Sequence, residues 1–362
     1  MNILVINPGG RALSYYFYSD GTPLAASAKI DNYGINSAGI GVMHRIKRAL
    51  ENASIEPAVI ALRVSCGGSF FTEPAVMDEK SLAALKRLIP KAPFHIPMVL
   101  DLAAAAKEVF SGTEIIFIFE ASFFTAMPVR ERFYAISPEI MHGDEIQRLG
   151  FHGILHEAAC RHTAGRIHTH GFKQAAKILS ICLEPRPEAA AVIGLRPVMA
   201  TGGSTPLEGL PGDNSCGDLD PGIIIKLGHE LGWGPEQVNK VLTSESGVSG
   251  MLKRRADIGE VFASNARDCR LVQEFFLYRL LLVCGAAIAA MGGMDRIVFS
   301  GRYCAAGKII GPRLLSKLDF MVKNLNEPRL RWDIMDEPVE KIMAEIAETF
   351  MIERQTRTAA IS

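Results

Sequence analysis

A similar short apolar stretch occurs at the start of the chain and again halfway along it. The stretches "NILVINP" at Asn2–Pro8 and "KILSIC" at Lys177–Cys182 are both short apolar runs, and each leads through a turn into a second apolar run. A strand–turn–strand start that recurs halfway along a chain predicts two similar α/β lobes. The residues that correspond are Ile3, Leu4 and Ile6 in the first stretch and Ile178, Leu179 and Ile181 in the second.

Later segments fit the same plan. Residues 58–68 ("AVIALRVSCGG") and 295–301 ("DRIVFSG") each predict a strand that runs into a glycine turn. Residues 114–120 ("EIIFIFE") form a continuous apolar run, as expected of a strand covered on both faces. The 362 residues allow two domains, and we predict lobes at 1–175 and 176–362, with a C-terminal helix packing back on the first lobe.

Composition excludes some function classes. The formal net charge is zero, which argues against nucleic acid as a partner, because binding a phosphate backbone requires clustered Lys and Arg. The seven cysteines form no close pair, which argues against a zinc ribbon and predicts a reducing, cytoplasmic location. The apolar run Leu280–Gly293 is too short to span a bilayer, so it predicts a buried helix and no membrane partner.

Several stretches, taken in order, carry a family resemblance. They include "ILVINPGG", "LRVSCGGSFF", "FEASFFTAMP", "RLGFHGILH" and "STPLEGLPGDNSCGDLDPGI". The chain resembles the acetate kinase (acetokinase) family of the sugar kinase, Hsp70 and actin superfamily. The resemblance implies an α/β fold of two ribonuclease H-like (actin-like) lobes, each with a mixed five-stranded sheet, that flank a cleft.

The resemblance also implies a reaction. Members of the family move a phosphoryl group between ATP and a short-chain carboxylate to give an acyl phosphate, with Mg²⁺ on the phosphates. The expected ligands are therefore ATP, Mg²⁺ and a short-chain carboxylate or acyl phosphate, and the expected assembly is a homodimer. Such chemistry depends on positioning and on charge neutralisation.

Three residues match catalytic positions of the family: Arg63, Glu120 and His152. A guanidinium fork suits a carboxylate or phosphate, and the alternative for Arg63 is a structural ion pair. Glu120 stands where the family has Asp, and its alternative is a solvated residue at a strand end. His152 matches the histidine that contacts the transferring phosphoryl group, with a buried structural histidine as the alternative. His156 follows at a spacing that could hold zinc, although no third ligand is evident.

Further residues match binding positions. Asn7 and Glu120 match the magnesium side, although Asn-Pro-Gly is also a good turn by itself. His95 matches a second family histidine, and with Arg63 it is expected to bind the acid. The nucleotide side is assigned to one arginine that could replace a family lysine and to three loop glycines: Arg11, Gly209, Gly217 and Gly301.

The departures from the family concentrate on the nucleotide side. A glycine-rich phosphate loop of the relatives is replaced by "CLEPRPE" at Cys182–Glu188, in which Pro185 and Pro187 have no N–H to donate. Ser215 and Ala256 stand where the family has arginine. Two interpretations therefore remain open: a carboxylate kinase with altered loops, or a catalytically degenerate protein of the same fold that binds or regulates.

Overall fold

The computed structural model describes residues 1–9, 12–24, 27–31, 38–68, 70–93, 95–137, 139–140, 146–168, 175–322 and 331–359. By their contacts these residues form two compact units. Unit 1 comprises Met1–Thr125 and Pro338–Ser362, and unit 2 comprises Ala126–Glu337.

Unit 1 is built on a seven-stranded sheet in which the order is β3-β2-β1-β5-β7-β6 and β4 also pairs with β2. Two of the seven strands, β3 and β6, have only two residues each and add to the edges, so the predicted mixed five-stranded sheet is present with two short additions. Strand β1 is antiparallel to β2 and parallel to β5, and β5 is parallel to β7. The strands are β1 (Asn2–Pro8), β2 (Ala12–Ser19), β3 (Thr22–Pro23), β4 (Ala28–Asp31), β5 (Val59–Val64), β6 (Ala75–Val76) and β7 (Glu114–Phe119).

Helices cover this sheet and bury its apolar strands. The side chains of β5 and β7 are almost all buried, as the continuous apolar runs predict. The C-terminal helix α12 contacts β1, β2, β5 and β7. The helices of the unit are α1 (Gly39–Asn52), α2 (Glu79–Arg87), α3 (His95–Val109) and α12 (Val339–Ala359).

Unit 2 repeats the central plan of unit 1 in a five-stranded sheet of order β10-β9-β8-β11-β12. Strand β8 is antiparallel to β9 and parallel to β11, which is parallel to β12. The two matched apolar stretches of the sequence are therefore equivalent first strands, which confirms the two-lobed α/β fold. The strands are β8 (Lys177–Cys182), β9 (Glu188–Ile193), β10 (Arg196–Ala200), β11 (Arg296–Ser300) and β12 (Arg331–Ile334).

Eight α-helices of unit 2 lie in the described residues. The 25-residue helix α10 packs one face into the core that also contains the strand residues Leu179 and Phe299. The helices are α4 (Val129–Arg132), α5 (Gly153–His168), α6 (Pro221–Leu231), α7 (Pro235–Ser244), α8 (Gly247–Leu252), α9 (Ile258–Ala263), α10 (Arg267–Met291) and α11 (Gly307–Val322); 3₁₀ helices cover Ser122–Ala126 and Cys304–Ala306.

The two compact units do not divide at residue 175, where the sequence predicts the lobe boundary. Helix α5 precedes the second sheet in sequence but packs against β8 and β11, so residues 126–168 group with unit 2. The C-terminal helix α12 follows the second sheet in sequence but groups with unit 1.

Helix α10 contains most of the apolar run Leu280–Gly293, which the sequence predicts to be a buried helix. It begins at Arg267, and Leu282 on its outer face is 48% exposed. Within the described residues it is the one helix long and apolar enough to cross a membrane by length and composition. Core helices of soluble proteins pass the same test, and the buried face of α10 is packed in this way.

Candidate active site

The ends of three parallel strands bring together the predicted residues of unit 1. Asn7 lies near the end of β1, Arg63 lies in β5, and Glu120 directly follows β7. Arg63 Nη1 donates to Asn7 Oδ1 at 2.9 Å, and Arg63 Nη2 forms an ion pair with the Glu120 carboxylate. Ligands of open α/β sheets bind outside the carboxyl ends of the strands, and these side chains lie at that edge.

Arg63 and Glu120 differ in their exposure to solvent. The Glu120 side chain is 2% exposed and the Arg63 side chain 17%. The alternative that Glu120 is a solvated residue is therefore wrong, because burial and the ion pair hold it inside. The structural ion pair considered for Arg63 is present. In addition, no described residue accepts a hydrogen bond from the buried Arg63 Nε, so the guanidinium keeps donor capacity for an anion.

His95 lies beside this pair and is neutral. The backbone N–H of Ser65 donates to His95 Nε2 at 2.8 Å, which leaves the ring proton on Nδ1. Burial, followed by the positive charge of Arg63, lowers the pKa of His95 to about 4. At neutral pH the imidazole is therefore a hydrogen-bond donor through Nδ1 without a charge, which suits the binding of an acid beside an arginine.

Glu340 is a further residue of this site that the sequence pattern does not indicate. This residue lies in the first turn of α12 and is 8% exposed. Its Oε1 accepts hydrogen bonds from Asn7 Nδ2 at 2.7 Å and from Ser14 Oγ at 3.0 Å. Nothing in the local pattern indicates this role, because an acid in the first turn of a helix is favourable wherever the helix packs.

The oxygen donors of this site fit a magnesium ion. Mg²⁺ takes oxygen ligands and is usually held by one or two carboxylates together with substrate phosphates and water. Glu120, Glu340 and the Asn7 amide are oxygen donors of this kind. Among the described residues no group of three or more His, Cys, Asp or Glu side chains could hold a metal ion by itself.

His152 belongs to unit 2, where it precedes α5 with a positive φ of 53°. Its ring Nε2 lies 3.0 Å from the backbone carbonyl of Arg186, so Nε2 carries a proton and donates to that carbonyl. No described residue is within hydrogen-bonding distance of its buried Nδ1. The fold of the described residues thus leaves Nδ1 of His152 unused.

His156 does not share a metal with His152. Its Nδ1 lies 2.8 Å from Ser180 Oγ, and its Nε2 lies 3.5 Å from the Glu188 carboxylate. Both ring nitrogens therefore face buried side chains of the second sheet. His156 is completely buried among these side chains and is therefore part of the core of unit 2.

The predicted nucleotide-side glycines lie in tightly packed loops of unit 2. Gly209, Gly217 and Gly301 have φ of 99°, 70° and 85°, which favour glycine. A Cβ at Gly209 would come within 2.6 Å of the Thr201 carbonyl, so this glycine is required by backbone packing. Gly301 lies against Leu183 in the altered β8–β9 turn. Arg11 lies outside the described residues.

The altered turn itself is held by side chains. The Arg302 N–H donates to Glu184 Oε1 at 2.9 Å, and its guanidinium lies 3.8 Å from the same carboxylate. Next to it, Tyr303 donates through its hydroxyl to Asp213 Oδ2 at 2.8 Å. Burial raises the pKa of Asp213 to about 6. The loops that the resemblance assigns to the nucleotide side are therefore joined here by the chain's own carboxylates.

Known acetate kinases match this chain over nearly its whole length. A profile of the acetokinase family matches residues 27–341. The acetate kinase of Thermotoga petrophila is 28% identical over 99% of this chain and 98% of its own length. The crystal structure of Porphyromonas gingivalis acetate kinase superposes with a TM-score of 0.85 at 20% identity, covering 97% of this chain and 99% of that one. A Francisella tularensis propionate kinase gives 0.82 at 23% identity, covering 95% and 98%.

The chain belongs to the acetokinase family. The resemblance found in the sequence is confirmed, together with the carboxylate kinase class that it implies at the level of the family. The two solved structures confirm the fold. The individual roles given to Arg63, Glu120, His152, His95 and Asn7 stay predictions, as does the nucleotide-side set.

Proposed function

We propose that this member of the acetokinase family transfers a phosphoryl group between a donor, ATP with Mg²⁺, and a short-chain carboxylate, giving an acyl phosphate. The observation that carries the proposal is the buried set at the strand ends of unit 1. There a guanidinium with an unfilled donor lies beside Asn7, Glu120 and a neutral histidine.

The reaction needs few protein groups. A carboxylate oxygen of the acid forms a bond to the terminal phosphorus of the donor, and the bond from phosphorus to the leaving oxygen breaks with its electron pair. No proton has to move, so catalysis is positioning and charge neutralisation. Arg63 neutralises the acid, and His95 donates from Nδ1. A bound Mg²⁺ would neutralise phosphate charge, with Glu120, Glu340 and Asn7 as its protein ligands.

The donor side differs from the relatives and defines the main test. Pro185 and Pro187 offer no amide to a phosphate, while Glu184 is already paired with Arg302. Arg186 is exposed on the same turn and is the cation nearest in sequence to the lost amides. We therefore propose that donor phosphates are held by side-chain charge rather than by a loop of amides.

The experiment is a hydroxamate trap for acyl phosphate. The pure protein is incubated with Mg²⁺ and either ATP or pyrophosphate, and with acetate, propionate or butyrate. Product that is abolished by Arg63→Ala and retained by Arg87→Ala, an exposed arginine at the end of α2, is the expected result. Product that survives Arg63→Ala would remove Arg63 from the site. Absence of product with either donor and every acid would overturn the kinase proposal.

A second candidate is a non-catalytic binding protein of the same fold. The observation that favours it is the occupation of loop positions by carboxylates, with Glu184 bound to Arg302 and Glu188 buried beneath the turn. Isothermal titration separates the candidates. If a carboxylate gives a measurable heat of binding but neither donor yields acyl phosphate, the result would favour the non-catalytic binding or regulatory protein.

We propose that the assembly is a homodimer formed through unit 2. Four apolar side chains lie along one outer stripe of α10 and are 40–66% exposed: Leu271, Phe275, Tyr278 and Leu282. Their spacing is that of one helical face.

Helix α6 extends this exposed apolar surface. No residue of α6 is buried, although it carries Ile223, Ile224 and Ile225. Arg279 of α10 pairs at 3.2 Å with Asp218, two residues before the α6 cap, so the two features are neighbours. An exposed apolar surface of this kind is typical of a subunit interface.

A further inference from the structure

Glu188 is a buried carboxylate that joins three segments of unit 2. It is the first residue of β9 and is 3% exposed. Its oxygens accept the backbone N–H of Phe151 at 3.0 and 2.9 Å, and its Oε1 also accepts the N–H of Gly202 at 3.2 Å. His156 approaches its Oε2 at 3.5 Å. A buried carboxylate is stable only with such partners, and here the partners are the loops themselves.

The fit around this carboxylate is close. A Cβ on Gly202 would lie 2.2 Å from Glu188 Oε1, so glycine is needed where the loop passes the carboxylate. His156 is completely buried, and its other ring nitrogen lies 2.8 Å from Ser180 Oγ in the second sheet. The carboxylate thus contacts the second sheet through His156 and Ser180, and it binds the loops through the N–H groups of Phe151 and Gly202.

The same contacts reach His152. Phe151, whose N–H the carboxylate holds, is the residue directly before His152. His152 has the strained φ of 53°, and its ring Nε2 is bonded to the carbonyl of Arg186 on the altered turn that ends at Glu188. The turn therefore fixes His152 in two ways: the Arg186 carbonyl binds its ring, and the Glu188 carboxylate binds the backbone N–H of the preceding residue.

We propose that Glu188 is a positioning residue for His152. The altered β8–β9 turn orients the histidine, with Nε2–H held by Arg186 and Nδ1 left without a partner, so that a ring protonated at Nδ1 would donate a hydrogen bond from there to an oxygen of the reacting phosphoryl group. The proposal rests on the proposed function for its kinetic consequence, but the held geometry can be measured without any turnover.

The kinetic test uses Glu188→Gln, with Glu184→Gln as the matched control on the same turn. An amide keeps the size but places an NH₂ group against one backbone donor, so the 151–152 loop shifts. Because a misplacement of about 1 Å can cost roughly 100-fold, we expect kcat at saturating donor and acid to fall about 10- to 100-fold. The KM for the acid should stay unchanged, since the acid-binding residues belong to unit 1. Glu184→Gln should leave kcat within about twofold of the parent.

A double-mutant cycle separates positioning from general damage. In a protein that already carries His152→Ala, Glu188→Gln should cause no further loss of kcat, because the group that it positions is gone. Losses that multiply in the double variant, or an unchanged kcat in Glu188→Gln, would overturn the proposal. If Glu188→Gln does not fold, as judged by its thermal unfolding, Glu188→Asp replaces it, because it keeps the charge but withdraws it from the Phe151 N–H.

A spectroscopic readout does not depend on activity. In ¹⁵N-labelled protein, the His152 ring Nε2–H should give an observable cross-peak, because its hydrogen bond to the Arg186 carbonyl slows exchange with water. We expect this peak to disappear in Glu188→Gln and to persist in Glu184→Gln. Its persistence in Glu188→Gln would contradict the positioning role even if the protein proves inactive. Absence of acyl phosphate production by the parent protein, with the peaks behaving as expected, would count against the proposed function alone.

Discussion

At the scale of single residues, one methylene at position 120 changes what the site can do. Glu120 reaches the Arg63 guanidinium and forms a buried ion pair with it. A carboxylate from the protein thereby binds the same fork that we assign to the carboxylate of the substrate. An acid that enters the site has to share or displace this internal partner, so the length of residue 120 is expected to set the apparent affinity for the acid.

Glu120→Asp should therefore bind the acid more tightly. The shorter side chain withdraws from Arg63, and since a hydrogen bond to a charged group contributes about 1.5–3 kcal/mol, a partial release should lower the acid KM about 3- to 10-fold. Steady-state kinetics over acetate and propionate measure this. The control is Glu114→Asp at the start of the same strand, where the carboxylate pairs with Arg354. An acid KM that stays constant or rises in Glu120→Asp would show that the ion pair does not compete with substrate.

His95 supplies a prediction about pH. Its pKa is about 4 in the folded protein and about 6.5 in an unfolded chain, so between these values the unfolded state binds more protons. The free energy of unfolding should thus fall as pH drops from about 6.5 towards 4, and this group should account for a loss of about 2 kcal/mol between about pH 7 and pH 5. Urea unfolding at the two pH values measures the loss.

The control for this prediction is His95→Gln, which keeps an acceptor for the Ser65 N–H but does not titrate. Its free energy of unfolding should depend less on pH than that of the parent. Equal pH dependence of the two proteins, or a His95 ring that titrates near an unperturbed pKa by NMR, would contradict a neutral buried imidazole.

At the scale of elements, the two sheets share the arrangement of their central strands but differ in the contacts made at the ends of those strands. In unit 1 the ends of β1, β5 and β7 present Asn7, Arg63 and Glu120. In unit 2 the equivalent ends are closed by contacts of their own, since the Leu183 carbonyl accepts the Tyr303 N–H at 2.9 Å and Glu184 accepts the Arg302 N–H. The same backbone edge is a candidate ligand site in one unit and a joined set of loops in the other.

The loop contact of Asp213 yields a prediction about stability. Its pKa of about 6 lies above that of an unfolded aspartate, so as pH rises from about 4 to about 6 the unfolded state loses its proton first. The free energy of unfolding therefore falls with rising pH over this window. Asp213→Asn removes the charge, while the Ile258 N–H keeps its acceptor and the Tyr303 hydroxyl can accept from the amide.

Asp213→Asn should accordingly be more stable than the parent by about 1–2 kcal/mol at about pH 8, and equal to it near pH 4. Chemical denaturation at the two pH values measures the difference. The control is Asp220→Asn at the cap of α6, where asparagine is an equally good capping residue and no pH-dependent gain is expected. A destabilised Asp213→Asn at the higher pH would show that the carboxylate charge is used by the fold.

At the scale of the whole molecule, the apolar stripe on α10 explains why a helix with a membrane-like composition can occur in a two-unit α/β protein. One face of the helix packs in the core of unit 2, and the other presents the residues that we assign to a subunit interface. In the proposed dimer both faces of the helix would be covered by protein, and burial of its apolar side chains would contribute to the free energy of association.

Leu271→Glu should dissociate the proposed dimer. A charge placed in an apolar interface leaves an unpaired, desolvated group, so association should weaken by at least about 100-fold. Sedimentation velocity at micromolar concentration measures the change, and circular dichroism checks the fold. Ile309→Glu, an exposed isoleucine on α11, is the matched control and should remain dimeric. A parent protein that sediments as a monomer would refute the interface.

The strand plan, the duplication and the family can all be predicted from the amino-acid sequence alone. Those features are local or periodic: apolar runs specify the strands β1, β7 and β8, and the quoted motifs cover short contiguous stretches. The same patterns place Asn7, Arg63 and Glu120 together, because the carboxyl ends of parallel strands meet at one edge.

Contacts between residues that are distant in sequence depend on the tertiary structure. Glu340 reaches Asn7 because the last helix returns to the first sheet, and Glu188 holds Phe151 because α5 packs on the second sheet rather than the first. The neutrality of His95 likewise depends on burial beside Arg63. Hydrogen bonds and desolvation act over a few ångströms in space, and a sequence pattern carries no record of which distant segments come that close.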